Sequence, residues 1–210
     1  MRVKKLIKET AKELLRMPLK HSMRRRLKVN NARIIASMCA GGILSHDLGL
    51  QFLSPTINLI IPEFTAFCDG LEDRLRGELV DKGTSPHGYP LAELDGFLIE
   101  GVHYHSFDQL NEQWRRRTQR FFASTDEIVL IASDTQVHLP RDVEAFHALP
   151  YRKVCFTSRQ DIPYEEFIYC PEFAGEDTVG DILRYTDLLG TRIFEKRLDC
   201  VGWLNGDVKG

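Results

Sequence analysis

Short apolar runs alternate with stretches of helical periodicity along this 210-residue chain. Apolar runs bounded by turn residues predict strands at 32–38, 57–61, 97–99, 102–105, 128–132 and 153–157. Apolar residues that recur every three or four positions predict helices at 43–50, 63–80, 107–122, 140–149, 178–190 and 193–204. Because strands alternate with helices, the pattern predicts a three-layer, Rossmann-like α/β fold, in which a mainly parallel sheet carries helices on both faces.

A basic amphipathic helix is predicted ahead of this domain. Residues 1–28 hold 11 Lys and Arg against 2 Asp and Glu, whereas the rest of the chain has a net charge of -11. We therefore divide the chain into a basic leader, residues 1–29, and a single α/β domain, residues 30–210. The helix is predicted to end or kink at Pro18, because proline has no backbone N–H. Its apolar residues recur at helical spacing with lysines between them: Val3, Leu6, Ile7, Ala11, Leu14 and Leu15.

Two interpretations of the leader stay open at this point. A basic amphipathic helix lies well on an anionic membrane surface, where each Lys or Arg adds about 1 kcal/mol of binding free energy. Alternatively, residues 1–28 pack on the acidic domain that follows them. Nucleic acid is not an expected partner, because the leader has no aromatic residue for base stacking and the domain is acidic.

The composition points to the cytoplasm. No apolar stretch is long enough for a transmembrane helix, and residues 1–28 lack the apolar core of a secretory signal. Five cysteines, an odd number without metal-type spacing, argue against a disulfide framework. We expect a cytoplasmic protein that is either free or peripheral on the inner face of the cytoplasmic membrane.

The most informative segment is the end of the first predicted strand, where Cys39, Ala40, Gly41 and Gly42 form a small-residue turn before a helix. Ligands of α/β proteins bind at the carboxyl ends of strands, beside helix N-termini that favour anions. This turn is therefore the predicted cofactor-binding segment. The thiol of Cys39 is either a nucleophile or a small packed side chain, and both readings are open.

Polar residues that follow this turn are further candidates. His46 and Asp47 form part of a possible acid/base pair, or else a polar pair on the helix surface. His103 and His105 alternate along a predicted strand, so both face the same side, where one can act as a general base. No companion ligands accompany them, and a metal site is not expected. Ser54 and Thr56, in the turn around Pro55, are expected to contact the substrate.

The predicted helix at 107–122 carries a basic and aromatic face. Arg117 and Arg120 are three residues apart and share that face with Trp114, so they are candidates for binding a phosphate, with the indole packing on an apolar part of the ligand. A surface ion-pair network is the alternative. Asp134 ends the strand at 128–132 and is either a catalytic or sugar-binding carboxylate or the cap of the next turn.

Several of these residues together resemble a known family. Cys39–Gly42, Leu48–Leu50, Ser54–Thr56, Trp114, Arg117, Arg120, Asp134, Lys153–Thr157 and Trp203–Gly206 occur in the order seen in a bacterial family catalogued as domain of unknown function 1919. The resemblance spans roughly residues 30–206 and leaves the basic leader outside. The family pattern reads Asn-Asn-Cys before the glycines, and this chain has Ser37 and Met38 in place of the asparagines.

The resemblance implies a role in surface glycan assembly, because members of that family occur in gene clusters for exopolysaccharide and capsule biosynthesis. The strand–Cys–turn opening is also similar to a capsule-biosynthesis family that is thought to bind coenzyme A. These expectations favour a transferase that moves an acyl group, such as acetyl, from coenzyme A to a hydroxyl of a glycan or a lipid-linked sugar.

In that hypothesis the Cys39–Gly42 turn and the two arginines bind the donor, His103 or His105 is the base, and Asp134 holds the sugar. No tightly bound cofactor is expected, only acetyl-coenzyme A or coenzyme A as the donor. A glycosyltransferase or phospho-sugar transferase that uses a nucleotide-sugar is the alternative, although the chain has no Asp-x-Asp motif. A non-catalytic partner of the capsule machinery is the third reading. The oligomeric state is not predicted.

Overall fold

The computed structural model describes residues 2–208, with side chains from residue 13 onward. The helices are α1 (Arg2–Arg26), α2 (Ala40–Leu48), α3 (Phe64–Cys68), α4 (Leu71–Arg74), α5 (Phe107–Ala123), α6 (Pro140–Ala148), α7 (Ile193–Arg197) and α8 (Cys200–Leu204). The strands are β1 (Arg33–Ala36), β2 (Leu59–Ile60), β3 (Val80–Thr84), β4 (Pro90–Leu94), β5 (Phe97–Gly101), β6 (Ile128–Ser133), β7 (Arg152–Thr157) and β8 (Phe167–Tyr169).

A parallel sheet of four strands, in the order β1-β6-β7-β8, forms the centre of the protein. Every residue of β6 is buried, as the continuous apolar run at 128–132 predicts for a strand covered on both faces. One face packs against α3, α5 and α6, through residues such as Phe64, Phe121 and Phe146. The other face packs against α1, α2, α7 and α8, through residues such as Leu44, Phe194 and Trp203. The predicted α/β class, with helices on both faces of a parallel sheet, is confirmed.

A second sheet was not predicted. Strands β2-β5-β4-β3 form an antiparallel sheet that the chain inserts between α2 and α5. Part of the predicted loop around residues 83–90 belongs to β3 and to the β3–β4 turn. The predicted strand at 102–105 is instead a turn that leads from β5 into α5.

Four predicted helices differ from those in the structure. The segment 63–80 is divided into α3 and α4, because Gly70 adopts the left-handed conformation between them (φ 73°). Residues 178–190 form turns rather than a helix, and the helix at 193–204 is broken at Leu198 and Asp199. Helix α1 does not end at Pro18 but continues to Arg26.

Helix α1 packs on the domain through α2 and α8, so the second half of the basic leader is part of the folded unit. Arg24 donates from Nε to the carbonyl of Asp47 (2.8 Å) and from a terminal nitrogen to the carbonyl of His46 (3.2 Å). A cation therefore caps the C-terminus of α2, where free carbonyls and the helix dipole favour positive charge.

The side chains of Val3, Leu6, Ile7 and Ala11, on which the amphipathic prediction rests, lie outside the described residues. Of the helices that the structure describes, none combines the length and apolarity needed to cross a lipid bilayer.

Candidate functional site

An open cleft of about 330 Å³ lies between α1, α2, the segment after Phe52 and α5. It brings together four residues that the sequence proposed from separate segments: Gly42, His46, Asp47 and Arg117. It also contains residues that were not predicted, among them Phe52, Asn58 and Arg192. The cleft lies beside the N-terminus of α2, which directly follows the carboxyl end of β1, as expected for an α/β protein.

The predicted glycine turn is the first turn of α2. The helix begins at Ala40, and the N–H of Ile43 donates to the carbonyl of Cys39 (3.0 Å), so the amides of Ala40, Gly41 and Gly42 precede the first hydrogen bond within the helix. No side chain caps this helix end. Such free amides, at the positive end of the helix dipole, favour an anion.

The two glycines let α2 approach its neighbours closely. A Cβ on Gly41 would lie 2.7 Å from the Cβ of Ala36, and one on Gly42 would lie 3.1 Å from a methyl group of Ile57. The predicted turn at Gly41 and Gly42 is therefore the beginning of the helix itself. Both glycines are helical and are required by packing, and at Gly42 that packing leaves the helix backbone beside the cleft.

Arg117 is a buried guanidinium in the cleft, with 8% of its surface exposed. One terminal nitrogen donates to the hydroxyl of Tyr104 (2.6 Å) and to the carbonyl of Ile57 (3.2 Å), which also accepts from the Tyr104 hydroxyl (3.0 Å). The Nε atom of Arg117 is buried and has no hydrogen-bond partner within residues 13–208. No acidic side chain pairs with this guanidinium in the same range. A buried cation without a counter-ion is costly, so the arrangement favours an anionic ligand.

Cys39 and His103 lie together near the N-terminus of α2, with 3.9 Å between Sγ and Nε2. Burial raises the pKa of the Cys39 thiol, which favours the neutral form, a weak nucleophile. His103 is exposed and precedes Tyr104, the partner of Arg117. His103 and His105 do not share the face of a strand, because residues 102–105 form a turn. The backbone N–H of His105 donates to the side chain of Gln109 (2.8 Å) near the start of α5.

Asp47 lies at the centre of a buried cluster of charges. Its carboxylate accepts from Arg16 (2.5 Å), from Arg192 (2.7 Å) and from Lys20 (2.9 Å). Glu195 forms a second ion pair with Arg16 (2.7 Å), and Arg16 also donates to the carbonyl of Gly190. The Arg16 side chain, on α1, is fully buried here.

This cluster changes the role predicted for Asp47. Burial alone would raise the pKa of Asp47, but hydrogen bonds from Lys20 and Arg192, together with the charge of Arg16, outweigh it and hold the pKa well below its usual range. His46 does contact Asp47 (3.1 Å between Nδ1 and Oδ1), as the predicted pair requires. However, a carboxylate held ionised by three cations is a poor proton acceptor. We therefore assign Asp47 to the attachment of α1 and leave His46, which is exposed, as a residue of the cleft.

Four other predicted site residues lie away from the cleft. Ser54 and Thr56 are buried, and their hydroxyl oxygens lie 3.0 Å apart. The Thr56 hydroxyl also accepts a hydrogen bond from the N–H of Ala36 (3.1 Å), so this turn is fixed to the end of β1. Trp114 is a buried core residue. Arg120 borders a different surface depression, beside Asn31 and Gln51. The expectation that Arg117 and Arg120 bind one phosphate together is not supported by this geometry.

Asp134 is buried and organises the carboxyl ends of the strands. Its carboxylate accepts from the N–H of Val179 (2.7 Å), from the N–H and hydroxyl of Ser158 (2.7 and 3.1 Å), and from the hydroxyl of Thr157 (3.1 Å). These four donors occupy both oxygens, and none of them lies in the turn that follows Asp134, so the carboxylate joins distant loops instead of capping that turn.

Two residues of the site could have been found from the sequence. Asn58 adopts a left-handed conformation (φ 63°), and Asn is one of the few non-glycine residues that tolerates it, so Asn58 before Leu59 is a signal for a special turn. Tyr104 lies between the two histidines that were singled out. Ser37, shortly before Cys39, has a buried hydroxyl without a partner in the described part of the chain.

The fold and the cleft define an α/β protein with an anion-favouring site at the carboxyl end of its first strand. The chain belongs to the family described as Domain of unknown function (DUF1919), which matches residues 10–205. It is 27% identical to an uncharacterized protein of Haemophilus influenzae over 202 residues, covering 95% of this chain and 96% of that protein. The match begins within α1, so the expectation that the leader lies outside the family is wrong for residues 10–29.

Proposed function

We propose that this protein is a cytoplasmic transferase of surface polysaccharide assembly, which binds a phosphate-bearing donor in the cleft beside α2. The favoured donor is acetyl-coenzyme A or another coenzyme A thioester, and the acceptor is a hydroxyl group of a glycan or a lipid-linked sugar. The observation that carries the proposal is Arg117, a buried guanidinium without a carboxylate partner among the described side chains, in the same cleft as the first turn of α2.

The donor's phosphate is assigned to Arg117. A guanidinium binds phosphate through charge-assisted hydrogen bonds, and Tyr104 and Ile57 fix its orientation from the opposite side. Phe52, whose ring centre lies 6.0 Å from the guanidinium carbon, supplies an apolar wall for a base or a pantetheine arm.

The chemistry is assigned to His103 and the amides of α2. His103 removes the proton of the acceptor hydroxyl as its oxygen attacks the thioester carbonyl, and the amides stabilise the resulting oxyanion. The new C–O bond forms, the C–S bond breaks, and the proton passes from His103 to the departing thiolate of coenzyme A. Cys39 is placed beside His103 as a neutral neighbour, which agrees with its raised pKa.

Calorimetry with coenzyme A, acetyl-coenzyme A and nucleotide-sugars in parallel tests the donor. We expect the coenzyme A compounds to bind, and Arg117→Gln to weaken that binding by about tenfold to a hundredfold, the equivalent of a charged hydrogen bond. The matched control is Arg116→Gln on the exposed side of α5, which should leave the affinity unchanged.

Two results would redirect the proposal. Binding of nucleotide-sugars alone would exclude acyl transfer and favour a glycosyl- or phospho-sugar transferase. If no donor binds, and Cys39→Ala, His103→Ala and Arg117→Gln all leave glycan production intact, the protein is a non-catalytic partner.

A further inference from the structure

The outer side of α1 exposes apolar side chains, while two of its cationic residues, Arg16 and Lys20, are buried against the domain. Leu14 is 62% exposed, Leu15 50% and Met17 60%, whereas Arg16 is fully buried and Lys20 almost so. An amphipathic helix that packs on a globular domain normally buries its apolar side. Here Met23 does pack on the core, but the ion pairs with Asp47 and Glu195 take up the neighbouring part of the helix, so Leu14, Leu15 and Met17 are left exposed.

A turn that contacts α1 through Gly190 and Arg16 exposes two further apolar side chains. Residues 187–190 form a turn in which Leu188 is 90% exposed and Leu189 64% exposed. The turn is closed by its own hydrogen bonds, including one from the N–H of Thr191 to the carboxylate of Asp187 (2.9 Å), and Gly190 accepts from Arg16. The two leucines are therefore held next to α1 on a structured support. We call Leu14, Leu15, Met17, Leu188 and Leu189 the apolar surface.

The segment that precedes the apolar surface in the chain is cationic. Residues 1–12 contain five Lys and Arg against one Glu. The apolar surface thus lies beside a segment with strong positive charge.

We infer that the apolar surface docks α1 and the 187–190 turn on a membrane with anionic lipids. Lysine and arginine near the headgroups supply long-range attraction, and the leucines enter the boundary between headgroups and acyl chains. Charge favours a membrane as the partner, because the five Lys and Arg of residues 1–12 are attracted to anionic headgroups, whereas a second copy of this chain carries the same positive segment. The inference is independent of the proposed transferase activity.

The experiment measures binding of the full chain to vesicles by flotation, using phosphatidylcholine alone and equal parts of phosphatidylcholine and phosphatidylglycerol. We expect binding to the anionic vesicles and a reduction of at least about tenfold for the double variant Leu188→Ser/Leu189→Ser, since burying one leucine contributes about tenfold or more. These side chains are exposed, so the variant should unfold at the same urea concentration as the wild type. The matched control is Leu98→Ser, 47% exposed on β5, which should bind as the wild type does.

A charge variant tests the electrostatic contribution to membrane binding. Lys4→Gln/Lys5→Gln/Lys8→Gln should weaken binding to the anionic vesicles, and added salt should weaken binding of the wild type. Arg117→Gln should bind vesicles normally, which separates this surface from the donor cleft.

Either of two results would overturn the inference. The first is vesicle binding by Leu188→Ser/Leu189→Ser that equals that of the wild type. The second is a wild-type dimer in sedimentation that this variant converts to a monomer, with no vesicle binding by either protein, which would make a second copy the occupant.

Discussion

Asp47→Asn removes the carboxylate that Arg16, Lys20 and Arg192 share. The substitution keeps the size of the side chain but leaves two guanidinium groups and one ammonium group close together, all nearly or fully buried. Glu195 remains as a counter-ion of Arg16, although Lys20 and Arg192 lose their shortest contact with the domain's acidic groups.

The expected cost is about 3–5 kcal/mol, the range found when one partner of a buried ion pair is removed. Domains of this kind are stable by roughly 5–15 kcal/mol, so the variant should lose about a fifth or more of its free energy of unfolding. Because Arg16 and Lys20 belong to α1, the helix should also become susceptible to proteolysis around residues 17–28.

Urea unfolding at neutral pH, followed by tryptophan fluorescence and circular dichroism, measures this loss. Asp207→Asn is the matched control, since Asp207 pairs with Lys28 at the surface, where 45% and 67% of the two side chains are exposed. The free energy of unfolding of that control should equal the wild-type value.

The pH dependence gives a second, independent readout. The pKa of Asp47 is lower in the folded protein than in the unfolded chain, so its contribution to stability is complete above the unfolded value and is lost as the pH falls below it. The wild type should therefore lose stability below about pH 5 more steeply than Asp47→Asn does. A loss of less than about 1 kcal/mol at neutral pH, with the acid slope unchanged, would refute the reasoning, because an exposed pair behaves in that way.

Three further substitutions have definite outcomes. Gly41→Ala should lower the free energy of unfolding by about 1–3 kcal/mol in urea, because its methyl group would overlap the Cβ of Ala36. Asp134→Asn should cost about 2–3 kcal/mol in the same assay, since an amide cannot accept all four hydrogen bonds that the carboxylate accepts. Glu172, whose pKa a hydrogen bond from Arg197 lowers to about 2, contributes stability that is lost as the pH falls from about 4.3 toward that value. Glu172→Gln should therefore flatten the fall of the urea midpoint in this range, and an unchanged slope would contradict the assignment.

The elements that the sequence predicted best are those whose burial follows from a local pattern. The run at 128–132 is apolar at every position because β6 is covered on both faces, and the period of α5 is that of a helix with one buried side. The 63–80 prediction failed at one residue, Gly70, whose left-handed conformation a periodic pattern does not reveal. The segment 178–190 failed because its backbone is held by distant partners, among them Asp134 and Arg192.

The candidate site was predicted in part for a similar reason. The end of the first strand can be recognised in the sequence, because an apolar run stops there at small residues. The segment that begins α2 was therefore predicted as part of the site. Arg117 and Arg120 were indistinguishable, because they are three residues apart on one helix and share residue type. Only the packing of Tyr104 and Ile57 around one of them decides which guanidinium reaches the cleft.

The leader shows most clearly what the sequence determined and what it left to the tertiary structure. Composition and spacing alone determined a basic, amphipathic helix ahead of an α/β domain, because charge and periodicity are properties of the chain itself. The side of that helix that faces the domain depends on Asp47 and Glu195, which are 31 and 179 residues away from Arg16. These buried carboxylates hold Arg16 and Lys20 against the domain beside Met23, and so Leu14, Leu15 and Met17 are left on the exposed side.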